Sequence, residues 1–122
     1  MYTDIKKLVG ETLKYVDDCG DEILLTTESG KKYKIYHSQD CCESVSVLDT
    51  KGNWHDLIGK VIRVAEHNEE SNPDRKEIGV DYYDSATLTT LTFKTDKDTV
   101  ISRWIGKSNG YYSESVDIAE LT

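Results

Sequence analysis

The chain has 122 residues, 37% hydrophobic and 31% charged, with a formal net charge of −8. That length supports one domain, residues 1–122, with a core of its own and no need of disulfide or metal staples. The acidic balance excludes DNA, RNA and anionic membrane as non-specific partners, but screening over about 8 Å leaves a local cationic cluster free to hold a small anion.

Taken in chain order, the N-terminus lacks the apolar block of a secretory signal, and no apolar run reaches membrane-spanning length, so a cytoplasmic location is expected. Thr3 as N-cap, Asp4 in the first turn, Ile5 and Leu8 on one face and Gly10 at the end predict a short helix. A strand over 12–17 follows, then a turn, then strands 22–27 and 31–36 as a hairpin around Ser29-Gly30. His37-Ser38-Gln39-Asp40 is a polar link into a short strand, 44–48.

Asn53 caps a second short helix, 54–58, closed by Gly59, and 60–66 resumes as a strand. Leu57-Ile58-Gly59-Lys60-Val61-Ile62 echoes Leu8-Val9-Gly10-Glu11-Thr12-Leu13, an echo too short on its own to establish a repeat. Residues 67–77 read as a solvated loop, and Tyr82 and Tyr83 stand before a β-branched strand at 87–94. Asp96-Lys97 makes a turn into a strand at 99–107. The expected class is α+β, mainly antiparallel β-sheet with two short helices.

Asn109-Gly110 fits a tight type I′ turn between alternating strands. In that hairpin Ile101, Arg103, Ile105, Lys107, Tyr112, Glu114, Val116 and Ile118 share a surface whose aliphatic residues mark it as core-facing. Arg103 and Glu114 then lie diagonally within reach. They form either a partly buried ion pair that fixes register or part of a polar pocket, rimmed by Lys107 and Tyr112, in which Arg103 offers its planar fork of donors to a phosphate. Arg103, Lys107, Asn109, Tyr112 and Glu114 supply the donors, aromatic surface and carboxylate that nucleotide recognition needs.

Catalytic and metal signals are weak. Cys19, Cys41 and Cys42 are expected as reduced thiols, and the paired C-x-x-C spacing of a zinc site is absent, so no metal and no cofactor are expected. Neighbours on a strand point to opposite faces, so Cys41 and Cys42 cannot jointly grip a metal without breaking the strand, and a vicinal disulfide between them would be strained. His55 and His67 read as surface residues, whereas His37 ends a strand beside Asp40, where ligands are often met. Carboxylates around Cys41 and Cys42 oppose thiolate formation, so a binder is expected rather than an enzyme. A hydrolase using His37 with Asp40 or Cys41 remains the catalytic alternative.

The stretches Ile35-Tyr36-His37-Ser38-Gln39-Asp40-Cys41-Cys42-Glu43-Ser44-Val45 and Arg103-Trp104-Ile105-Gly106-Lys107-Ser108-Asn109-Gly110-Tyr111-Tyr112-Ser113-Glu114-Ser115-Val116-Asp117 resemble the phage and prophage Thoeris anti-defence sponge proteins. The resemblance implies a non-enzymatic protein that sequesters a cyclic ADP-ribose messenger, of the glycocyclic type, before it switches on a Thoeris effector. It also implies a homodimer or higher homo-oligomer with pockets at subunit interfaces, and cyclic oligonucleotides as further ligands. Arg103 is then the expected phosphate-binding arginine, with Phe93 and Tyr83 as base-stacking groups, or Tyr82, Tyr83 or Tyr112 if Phe93 is core. Trp104 and Tyr111 are expected at a subunit contact or in a second core layer. Capture by a stoichiometric sponge calls for a nanomolar constant, about −12 kcal/mol, and hence near-complete enclosure of the ligand. The reading from another class is an acidic inhibitor that occludes a basic surface of a host defence protein.

Overall fold

The computed structural model describes residues 2–80 and 82–121. Period-2 alternation dominates the sequence, and its consequence is eight strands among the described residues. They are β1 (Leu13–Asp18), β2 (Ile23–Thr27), β3 (Lys32–Tyr36), β4 (Ser44–Lys51), β5 (Val64–Ser71), β6 (Ser85–Lys94), β7 (Thr99–Ser108) and β8 (Asp117–Leu121). All strand pairings are antiparallel, in two four-stranded sheets ordered β1-β2-β3-β8 and β4-β7-β6-β5.

Both expected helices shrink to single 3-10 turns, Ile5–Leu8 and Trp54–Leu57. Asp4, rather than Thr3, caps the first, and Asn53 caps the second, each side chain accepting from the backbone N–H two residues on. Gly10 and Gly59 follow at φ of 89° and 80°, a conformation that ends the turn and aims the chain into the next strand. The segment expected as a loop at 67–77 is instead largely ordered. β5 runs on to Ser71 because β6 is long enough to pair with it, and a four-residue α-helix, α1 (Arg75–Ile78), follows, capped by Asp74.

The largest correction concerns the chain after Asn109. Residues 109–116 do not return along β7 as a hairpin. They cross to the other sheet, where β8 pairs with β3, while β7 lies between β4 and β6. With a neighbour on each side, β7 has no free edge for a returning strand.

The core faces are reversed as well. Val100, Ser102 and Trp104 point into the space between the sheets, and Ile101, Arg103, Ile105 and Lys107 point outward. Trp104 is fully buried, its Nε1 donating to Ser102 Oγ at 2.9 Å, so it belongs to the core rather than to a subunit contact. Tyr111 is 88% exposed. The main core unites Leu13, Ile23, Leu25, Tyr33 and Ile35 from one sheet with Leu91, Phe93, Val100 and Trp104 from the other. Each fully buried aliphatic or aromatic side chain contributes about 1.5–3 kcal/mol to holding the sheets together.

The echo seen in the sequence has a structural counterpart. Each half of the chain runs from a 3-10 turn through three strands that form a meander, and then gives its fourth strand to the other half's sheet. β4 joins β5, β6 and β7, and β8 joins β1, β2 and β3. The first 3-10 turn packs on β5 and the second on β1, completing the reciprocity. The echoed segments bond to each other directly: Gly10 N donates to Ile62 O (2.8 Å), Ile62 N to Glu11 O (2.9 Å) and Gly59 N to Leu13 O (2.8 Å). The halves are thus related by a pseudo-twofold axis, with α1 inserted in the second.

Candidate functional site

The two links that carry strands between sheets, 37–43 and 109–116, meet at one end of the molecule. His37 joins them. Its Nδ1 lies 2.7 Å from the Ser115 carbonyl oxygen, and its Nε2 lies 2.7 Å from Glu43 Oε2. The Ser38 N–H also donates to Asp117 Oδ2 at 3.0 Å.

Glu43 organises the first link. Its carboxylate accepts from the backbone N–H groups of Asp40 and Cys41, both at 2.9 Å, while Gln39 Nε2 donates to the Glu43 carbonyl at 2.7 Å. Burial opposes ionisation of this carboxyl, but the Asp40 and Cys41 N–H groups and the His37 ring outweigh it and bring its pKa down to about 2. The His37 and Glu43 side chains are only 4% and 0% exposed. Sealed in this way, the pair ties the two links together.

Glu114 plays the corresponding part in the second link. It does not pair with Arg103, which lies on the opposite face of the second sheet. Its carboxylate accepts from Thr87 Oγ1 at 2.8 Å and from Ser108 Oγ, and its backbone lies against Gly106. Only a glycine lets the link pass so close: a Cβ at position 106 would lie 2.4 Å from the Glu114 carbonyl oxygen.

Arg103 finds its carboxylates elsewhere. A bulge at Leu48 shifts the register of β4, so that Asp49 stands opposite Arg103 on the outward face. Arg103 donates to Asp49 through Nε (2.8 Å) and Nη2, and its Nη1 lies 4.0 Å from Glu77 Oε1. The Arg103 hydrogen bond holds the Asp49 carboxyl below its ordinary value against partial burial, and Asp49 in turn raises the Arg103 pKa. Beside this cluster, Ile78, Val80 and Tyr83 pack over Ala86, Leu88 and Ile105 as a small second core.

The expected site residues therefore divide among four places. Arg103, Lys107 and Tyr83 share the outward side of the second sheet, with the Tyr83 hydroxyl donating to the Pro73 carbonyl. Asn109 and Tyr112 lie in the second link, where Asn109 Oδ1 accepts from Tyr111 N at 3.1 Å. His37 and Glu114 are buried in the crossing. Phe93 packs against Trp54, with ring centroids 5.4 Å apart, and is 1% exposed, so stacking on a ligand is closed to it. Glu43 and Asp49 were missed: the signal for Glu43 was a carboxylate inside a polar link, and the bulge that delivers Asp49 leaves no mark in the alternation.

Cys41 and Cys42 are joined as a disulfide, contrary to the expectation of free thiols, and Cys19 is free and exposed. They lie in a link rather than a strand, so alternation does not force them apart. Among the described residues no group of three or more His, Cys, Asp or Glu side chains is placed to hold a metal, and no helix is long and apolar enough to cross a membrane. Depressions of about 510 Å³, beside Lys6 and His67, and about 350 Å³, beside Tyr15 and Leu24, lie away from the expected site residues.

Residues 6–118 match the model of a domain of unknown function, DUF7448, and the chain belongs to that family. No curated protein and no solved structure matches it.

Proposed function

We propose that this DUF7448 protein is a non-catalytic binder that captures a small anionic nucleotide, of the cyclic ADP-ribose messenger class, and withholds it intact from a Thoeris-type defence effector. One observation carries the reading. The two stretches that resemble the sponge proteins are built into a single end of the fold through the contact of His37 with Ser115, 78 residues apart in the sequence. The sealed His37–Glu43 pair favours retention over turnover, since neither group is free to move a substrate proton.

In this reading Lys107, Asn109 and Tyr112 offer charge, amide and aromatic surface around the second link. Arg103 and Tyr83 extend the same ligand surface along the outward side of β7. A phosphate reaching Arg103 takes the Nη1 edge, now facing Glu77, while Asp49 keeps the Nε edge and holds the guanidinium plane fixed. Enclosure sufficient for nanomolar capture comes from a second subunit in a homo-oligomer, and the working compartment is the bacterial host cytoplasm.

The test is calorimetry of the purified chain against a panel of cyclic ADP-ribose isomers and cyclic dinucleotides, with mass spectrometry of what heating releases. The expected result is tight binding of one messenger class, release of that messenger unchanged, and at least tenfold weaker binding by Arg103→Ala and Lys107→Ala. Conversion of the ligand to linear ADP-ribose indicates an enzyme instead. Indifference to the whole panel, with salt-sensitive binding to a defence protein, replaces the sponge by an acidic protein inhibitor.

A further inference from the structure

The Cys41–Cys42 disulfide lies where the two links that exchange strands meet. Because it joins sequence neighbours, it closes no long loop of the unfolded chain and adds little to the stability of the fold as a whole. What it constrains is local, the backbone of two residues inside the turn that folds Glu43 back on its own link. The N–H groups of Asp40 and Cys41 stand on one side of the cross-linked peptide and Glu43 on the other, and the carboxylate reaches back to accept from both at 2.9 Å. Gln39 Nε2 braces the same turn, donating to the Glu43 carbonyl at 2.7 Å and to the Cys41 carbonyl at 3.4 Å.

We propose that Cys41–Cys42 is a reversible thiol–disulfide exchange site, opened by a dithiol reductant, whose redox state sets how tightly the links 37–43 and 109–116 are held together. Glu43 transmits the constraint. It lies 2.7 Å from His37, which lies 2.7 Å from the Ser115 carbonyl oxygen, and the residue after it, Ser44, opens β4 opposite Lys107. Access favours exchange at this bond. The His37 and Glu43 side chains are sealed, whereas Cys41 and Cys42 are both exposed, so a contact closed to solvent is braced by a bond that a dissolved thiol can reach.

In the exchange, a thiolate of the reductant attacks one sulfur of the pair, forming a mixed disulfide and releasing the other cysteine as a thiolate. The second thiol of the reductant then displaces the first cysteine. Two electrons and two protons pass from the dithiol to Cys41 and Cys42, and the reductant leaves as a disulfide. The reduced residues regain backbone freedom, so the Asp40 and Cys41 bonds to Glu43 open more often and the grip on His37 and Ser115 slackens. In the reducing cytoplasm proposed for this protein, an exchanging disulfide of this kind is the usual one.

The test uses the full chain carrying Cys19→Ser, which removes the exposed free thiol, with no nucleotide present. It is treated with dithiothreitol and then, after removal of the reductant, with oxidised glutathione, and each state is alkylated, weighed by mass spectrometry and followed by amide hydrogen exchange. The expected result is alkylation of both Cys41 and Cys42 after dithiothreitol and of neither after glutathione, with no glutathione adduct retained. Exchange at the Asp40 and Cys41 amides should quicken about tenfold on reduction while amides of β6 and β7 keep their rates. Adding Cys41→Ser and Cys42→Ser should fix the faster rate whatever the reagent. A pair that does not re-form, a glutathione adduct in its place, or equal exchange at Asp40 and Cys41 in the two states overturns the proposal. Failure of nucleotide capture leaves it standing, because every measurement is made without ligand.

Discussion

Replacing Gly106 by alanine tests the crossing of the chain most directly. The added Cβ would lie 2.4 Å from the Glu114 carbonyl oxygen and 2.7 Å from the Glu114 Cβ. These are backbone-proximal atoms that no rotamer change can withdraw. Glu114 is held by Thr87 and Ser108, and the next residue is held by His37, so the second link must shift as a unit. Overpacking of this kind costs about 1–3 kcal/mol. Loosened hydrogen bonds at the crossing add about 1 kcal/mol, giving a loss near 2–4 kcal/mol. For a chain of this size that lowers Tm by roughly 10 °C, measurable by calorimetry or thermal circular dichroism. A hairpin in which β7 pairs with its own continuation would leave the Cβ at position 106 in open space. The substitution would then stabilise by about 0.4–1 kcal/mol, through the unfolded chain. Gly106→Ala protein as stable as wild type, or more so, refutes the crossing.

Arg103→Ala should cost only about 1 kcal/mol in urea denaturation, because its pair with Asp49 is bidentate yet partly exposed and screened; a loss above about 3 kcal/mol would show that the cluster is a structural keystone. The Glu43 carboxyl is depressed from an ordinary value of 4.5 to about 2, so the stability it contributes is complete above pH 4.5 and is lost as pH falls towards 2. Urea midpoints measured across that window should fall in the wild type and fall less steeply in Glu43→Gln; parallel slopes would remove Glu43 as the acid-sensitive group. Tyr111→Ser, at an 88% exposed position with no packing to lose, should change stability by less than about 0.5 kcal/mol in the same assay.

Much of the local structure could be read in the sequence because it depends on neighbours in the chain. The turn at Ser29-Gly30, the cap at Asn53, and β1 to β3 follow from alternation and turn chemistry within a few residues. What could not be read depends on distant partners. Asn109-Gly110 carries strong hairpin chemistry, yet both edges of β7 are taken, by β4 from some 55 residues upstream and by β6. Once that pairing is fixed, the parity of the whole strand is fixed with it, which is why Trp104 rather than Ile105 enters the main core. The site was hidden for the same reason. His37 and Ser115 are brought into contact only by the exchange of strands, and Asp49 reaches Arg103 only because a single bulged residue turns the end of β4 over.

The exchange of fourth strands also governs how the molecule can be made. Neither meander has a finished sheet until the opposite one has delivered its last strand, so a nascent chain emerging from the ribosome cannot complete its first sheet before β8, at the far end, has been synthesised. Such non-local closure slows folding, and it removes any stable half-way state in which one lobe stands alone. Loss of structure at either crossing then spreads to both sheets together, and unfolding becomes all-or-none.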